Sequence, residues 1–152
     1  MSSISRRCLF WSGTVAVAGA VLHVAILFGG PDWYARFGAP DALVQMARTG
    51  NARAPNSCLV IAAILAGWAL YAFSGAGPIR RLPVLRPVLA LIAAILILRG
   101  ILFIPMLLWR PGALGAICSC HGFDGFIVVT SILCLVTGVG YGAGALGAGR
   151  PT

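Results

Sequence analysis

The sequence predicts an all-α membrane protein, an up-down bundle of four transmembrane helices with a short interfacial helix in its first outer loop. Three observations carry that prediction. Four apolar stretches, Leu9 to Gly30, Ser57 to Ala76, Val88 to Trp109 and Phe126 to Leu146, each approach the roughly 20 residues a helix needs to cross a bilayer. The hydrophobic fraction is 60% and the charged fraction 9%, against about a quarter charged in soluble domains. The connections are too short to fold by themselves, so residues 1–152 read as one four-helix transmembrane domain.

The first stretch follows Ser5-Arg6-Arg7-Cys8-Leu9-Phe10, which is similar to a twin-arginine export signal. The apolar run is longer than a signal core and leads into Gly29-Gly30-Pro31 with no small-x-small cleavage site, so a retained first helix is expected. Pro31 to Pro55 is the longest polar segment. Asp32 is read as the cap of a short turn through Trp33, Tyr34, Arg36 and Phe37, which Gly38 stops. Asp41 then begins a short amphipathic helix, with Leu43, Val44, Met46 and Ala47 apolar and Gly50 at its end, expected to lie flat on the outer surface.

The second and third stretches are joined by Gly77 to Pro87, stiffened by Pro78, Pro83 and Pro87, and so should pack as antiparallel neighbours. Small residues recur four apart at Ala16 and Ala20, Ala62 and Ala66, Ala63 and Gly67, and Gly138 and Gly142. In lipid this spacing lets helix backbones approach closely, and it is read here as packing within the bundle.

Charge sets the expected orientation. Arg6, Arg7, Arg80, Arg81, Arg86 and Arg150 fall on one side, and Arg36, Arg48, Arg53 and Arg110 on the other with all three acids, Asp32, Asp41 and Asp124. The positive-inside rule then puts both termini in the cytoplasm. Trp33, Tyr34 and Trp109 would form the outer aromatic belt, and Trp11, Tyr71 and Tyr141 the inner one. The net charge of +8 does not point to nucleic acid, because along the chain the arginines stand singly or in pairs between apolar runs.

Few polar groups remain to carry function. Arg99 sits near the middle of the third stretch, where a charge costs about 2.5–3.5 kcal/mol on insertion scales and normally faces the bundle interior beside a partner. Asp124 is the candidate partner by charge, and His23 in the outer half of the first stretch is expected to face the same interior. Arg99, His23 and Asp124 are therefore the expected lining of an outward-facing pocket for a small ligand, a lipid or a partner subunit. Alternatively Arg99 locks helices through backbone carbonyls. Cys118-Ser119-Cys120-His121 is the second signal. Cys118, Cys120 and His121 suit a soft metal, and two thiols this close in an oxidising compartment suit disulfide exchange. A plain cysteine-rich loop, or a bridge from one of them to Cys58, is the simpler reading. Cys8 and Cys134 read as small apolar helix residues. No complete catalytic or cofactor motif is present, so the sequence points away from an enzyme and names no cofactor. Expected partners are the bilayer and a membrane subunit or second copy of the chain.

Gly29-Gly30-Pro31-Asp32-Trp33-Tyr34, Arg80-Arg81-Leu82-Pro83 and Leu98-Arg99-Gly100 together resemble a group of small four-span bacterial inner-membrane proteins, across the whole chain. That resemblance implies a bacterial inner-membrane location and supplies no activity. More distantly, the chain is similar in size and span number to quinone-linked disulfide oxidoreductases, which use outer-loop cysteines and an Arg near the quinone. Their Cys-x-x-Cys pair in the first outer loop is missing here. It also looks like four-span mercury-uptake proteins, but Gly19 and His23 stand where those carry paired cysteines.

Overall fold

The computed structural model describes residues 2–109 and 125–148, and side chains for residues 2–102, 125, 126 and 128–148. Within them lie five α-helices and no strand: α1 (Ser3–Arg36), α2 (Asp41–Arg48), α3 (Arg53–Ala76), α4 (Leu85–Trp109) and α5 (Gly125–Ala148). The spans expected from hydropathy agree with α3, α4 and α5 to within four residues, while α1 extends six residues beyond the expected span at each end; these four helices are long and apolar enough to cross a membrane.

The helices form a bundle with an ordered set of neighbours. α1 packs on α3 and α5, and α4 packs on α5 and only slightly on α3; α1 and α4 stand diagonally, with no close backbone approach among the described residues. Glycine makes the close approaches possible. On α5, Gly138 and Gly142 face α4, where a Cβ at Gly138 would come within 2.8 Å of Ile97 Cγ1. Gly140 and Gly144, two residues on and hence nearly opposite around a 3.6-residue turn, face α1; a Cβ at Gly144 would come within 2.9 Å of Leu9 Cδ1. α5 is thus thinned on two sides and wedges between α1 and α4. On the other flank of α1, Gly13 meets Ala72 and Phe73 of α3.

We call the end holding Ser3, Ala76, Leu85 and Ala148 proximal and the other end distal. Leu9 lies against both Gly75 and Gly144, and Gly75 lies against Leu85 and Leu89, which fixes the common level of the four helices at the proximal end. The main core is there: Leu9, Ala72, Leu89, Ile92, Ala93, Leu96, Tyr141 and Ala145 are buried together. Two hydrogen bonds tie this core across helices. The Tyr141 hydroxyl donates to the Trp68 carbonyl at 3.0 Å, and the Ser12 hydroxyl to the Thr137 carbonyl at 3.2 Å. Tyr141 therefore differs from the belt residue expected of it. It is fully buried, because its hydroxyl finds an acceptor inside the bundle.

The distal end has a smaller core of Ile26, Tyr34, Val44, Ala54 and Cys58, over which α2 is folded. α1 reaches it through a kink. Gly30 has φ 69° and ψ −169°, a conformation that L side chains rarely adopt, and Pro31 follows as the first residue of the next helical segment, where no N–H is required. The Trp33 ring lies directly over Gly29, leaving no room for a side chain there. Asp32 and Asp41 occupy first turns rather than cap positions. No side-chain cap bond is made at the start of α2, and Asp41 serves there by its charge near the positive end of the helix dipole.

Candidate functional site

Arg99 belongs to α4, whose core seam runs Leu85, Leu89, Ile92 and Leu96 at alternating steps of four and three. Leu89 is 0%, Ile92 1% and Leu96 8% exposed. The next step of three lands on Arg99, which is exposed. Around it on the same helix Leu91, Ile95, Leu98 and Leu102 are exposed too. On the other flank Gly100 packs tightly on Leu135 and the Ser131 carbonyl of α5. The seam thus loses its cover at the level of Arg99, and a guanidinium with no hydrogen bond or ion pair among the described residues stands on an apolar helix surface.

This differs from an interior-facing arginine, and the bundle geometry gives the reason. Arg99 is ten residues beyond Leu89, about 15 Å along the axis, past the last buried member of the proximal core. The diagonal separation of α1 and α4 leaves nothing from α1 to close over it.

His23 is not brought beside Arg99. It sits on α1, whose backbone makes no close approach to α4 among the described residues, and lies fourteen residues beyond Leu9, about 21 Å and so roughly a helical turn further out. Its ring is half-buried, and Nδ1 hydrogen-bonds the Gly19 carbonyl at 2.8 Å, which satisfies it within its own helix. Asp124, the third residue of the expected pocket, lies outside the described residues, as do Cys118, Cys120 and His121 of the expected thiol site. Among the described residues no three of His, Cys, Asp or Glu come together in a metal-binding group.

One arrangement was not legible from the sequence. The Cys58 thiol is free and is buried in the distal core beside the Tyr34 side chain of α1. This contact joins the segment beyond the Gly30 kink to α3. No periodic signal pairs residues across a kink; the only clue was that both positions fall at the distal ends of their helices. Cys8 and Cys134 are free and half-buried, in keeping with their reading as helix-packing residues.

Comparison with known proteins adds no assignment: no family model, no curated protein and no solved structure matches this chain.

Proposed function

We propose that the chain is a non-catalytic integral protein of the bacterial plasma membrane that docks a partner subunit through Arg99. Four long apolar helices support the membrane reading. The arginine bias supports cytoplasmic termini, which puts the distal end and α2 on the outer face.

The observation that carries the docking role is the exposure of Arg99 among exposed Leu91, Ile95, Leu98 and Leu102. Arg99 is about 21 Å along the axis from Leu85 and about 15 Å from Trp109, so its level is near the middle of a ~30 Å hydrocarbon layer. A lipid phosphate belongs to the headgroup layer, beyond the reach of a side chain at that depth. A carboxylate on a neighbouring transmembrane helix lies at the right depth, offsets the cost of the buried charge and leaves the surrounding leucines packed. A second copy meets this surface poorly. A two-fold contact through α4 sets Arg99 against Arg99, and the acids of the described residues, Asp32 and Asp41, are both at the distal end.

The test uses a synthetic transmembrane helix of leucines with one central Glu, labelled for energy transfer to the protein in liposomes. Association with the Glu helix is expected for the native chain, and its loss for Arg99→Leu or when the helix carries Leu in place of Glu. Equal energy transfer for Glu and Leu helices would contradict the proposal.

A further inference from the structure

Arginines that are scattered in sequence gather at the proximal end of the fold. Arg6 and Arg7 lie one turn before Leu9, which packs against Gly75 at the end of α3 and, through Gly75, meets Leu85 and Leu89 of α4. Arg80 and Arg81 lie in the connection from α3 to α4, and Arg86 in the first turn of α4. All five are exposed. No acid of the described residues lies at this end, since Asp32 and Asp41 are both distal.

The connection that presents Arg80 and Arg81 is held in one shape. The Ser74 side chain, 1% exposed, donates from its hydroxyl to the Arg80 carbonyl at 2.9 Å and accepts from the Leu82 amide at 2.7 Å. Val84 closes the connection at φ 48°, a left-handed conformation that a β-branched residue rarely adopts and that persists only where its surroundings impose it. Apolar side chains flank the arginines: Ile4 is 72%, Trp11 67% and Val84 63% exposed, and Ile79 is exposed beside them. Cationic groups with apolar side chains between them match the boundary of a membrane, where phosphate meets acyl chain.

We infer that the first turns of α1 and the Ser74-fastened connection between α3 and α4 form a binding site for the headgroup of an anionic phospholipid. The guanidinium groups of Arg80, Arg81, Arg6, Arg7 and Arg86 pair with phosphate oxygens, and the flanking apolar residues meet the upper acyl chain. Arginine suits this role because its planar donor fork engages two phosphate oxygens at once. The site rests on the reading of the proximal end as the cytoplasmic boundary, and is independent of Arg99.

The experiment is native mass spectrometry of the full chain in neutral detergent, titrated with phosphatidylglycerol or with phosphatidylcholine of the same acyl chains. Phosphatidylglycerol is expected to bind at least tenfold more tightly than phosphatidylcholine, with roughly a tenfold or greater loss on Arg80→Gln with Arg81→Gln. The distal pair Arg48→Gln with Arg53→Gln should leave it unchanged. Ser74→Ala keeps every charge and is expected to weaken binding several-fold by freeing the connection. Thermal melting of each variant separates a lost site from a lost fold. Equal affinity for the two lipids, or equal loss in the proximal and distal pairs, would overturn the proposal, as would full displacement of the lipid by millimolar inorganic phosphate. Impermeant labelling of each terminus in intact cells tests the orientation separately. External labelling of the termini would remove that reading while leaving lipid binding in detergent as measured.

Discussion

Tyr141 shows how a single side chain joins two helices of the bundle. In lipid the acyl chains are as apolar as leucine, so close packing and hydrogen bonds decide which surfaces meet. The Tyr141 hydroxyl crosses from α5 to the Trp68 carbonyl of α3 and is buried with its ring. Tyr141→Phe should lower stability by about 1 kcal/mol, the usual net worth of one such bond, whereas Tyr141→Ala should cost about 3–5 kcal/mol by leaving a cavity in the main core. Thermal melting in detergent checks both values; a Phe variant as damaged as the Ala variant would mean that the bond, and not the ring, holds the core. The sequence showed an aromatic near a helix end and suggested a belt residue. It could not show the acceptor, a main-chain carbonyl on a helix more than seventy residues away.

At the scale of elements, the spans were legible and their facing was not. Length and hydropathy alone locate α1, α3, α4 and α5, because the proposed membrane setting requires an apolar run of this length to satisfy its own backbone as a helix. Facing is usually read from the alternation of apolar and polar residues around a helix, and a helix apolar on both its lipid side and its core side carries no such alternation. That is why Arg99 was expected inside and is exposed, one step beyond Leu96 on the seam. Gly138 with Gly142 marks the α4 contact of α5, as their spacing suggested, whereas Ala63 and Gly67, spaced alike on α3, meet no neighbouring helix among the described residues. The kink at Gly30 was also foreseeable from Gly29-Gly30-Pro31, but not its use in bringing Tyr34 to Cys58. Gly30→Leu should strain φ 69° and push α1 toward a straight course, separating that pair. Cys58, slow to react with maleimide in the native protein because it is buried, should then label several-fold faster. Unchanged labelling in a folded Gly30→Leu variant would show that the kink does not position the thiol.

At the scale of the whole molecule, the two ends of the bundle differ in kind. The proximal end carries the main core and the exposed Arg6, Arg7, Arg80, Arg81 and Arg86, and the distal end a smaller core beneath α2 with Asp32 and Asp41. Between them Arg99 stands on an uncovered apolar surface, and the proposed docking role requires that surface to face the hydrocarbon in the isolated protein. Charge counting anticipated the polarity of the two ends, since loop arginines need no tertiary information to be assigned to a side. It could not anticipate how closely the segments bearing Arg6, Arg7, Arg80, Arg81 and Arg86 pack at one end, which needs the contacts of Leu9 with Gly75 and of Gly75 with Leu85.

The most direct measurement is a nitroxide at position 99, introduced by Arg99→Cys in a chain whose five native cysteines are replaced by serine, with the protein in liposomes. Collision rates with oxygen, which concentrates in the bilayer, and with a polar nickel chelate, which stays in water, locate the label. Frequent collisions with oxygen and rare ones with nickel are expected, the pattern of a lipid-facing site near the bilayer centre. Frequent nickel collisions, or protection from both reagents, would contradict that placement.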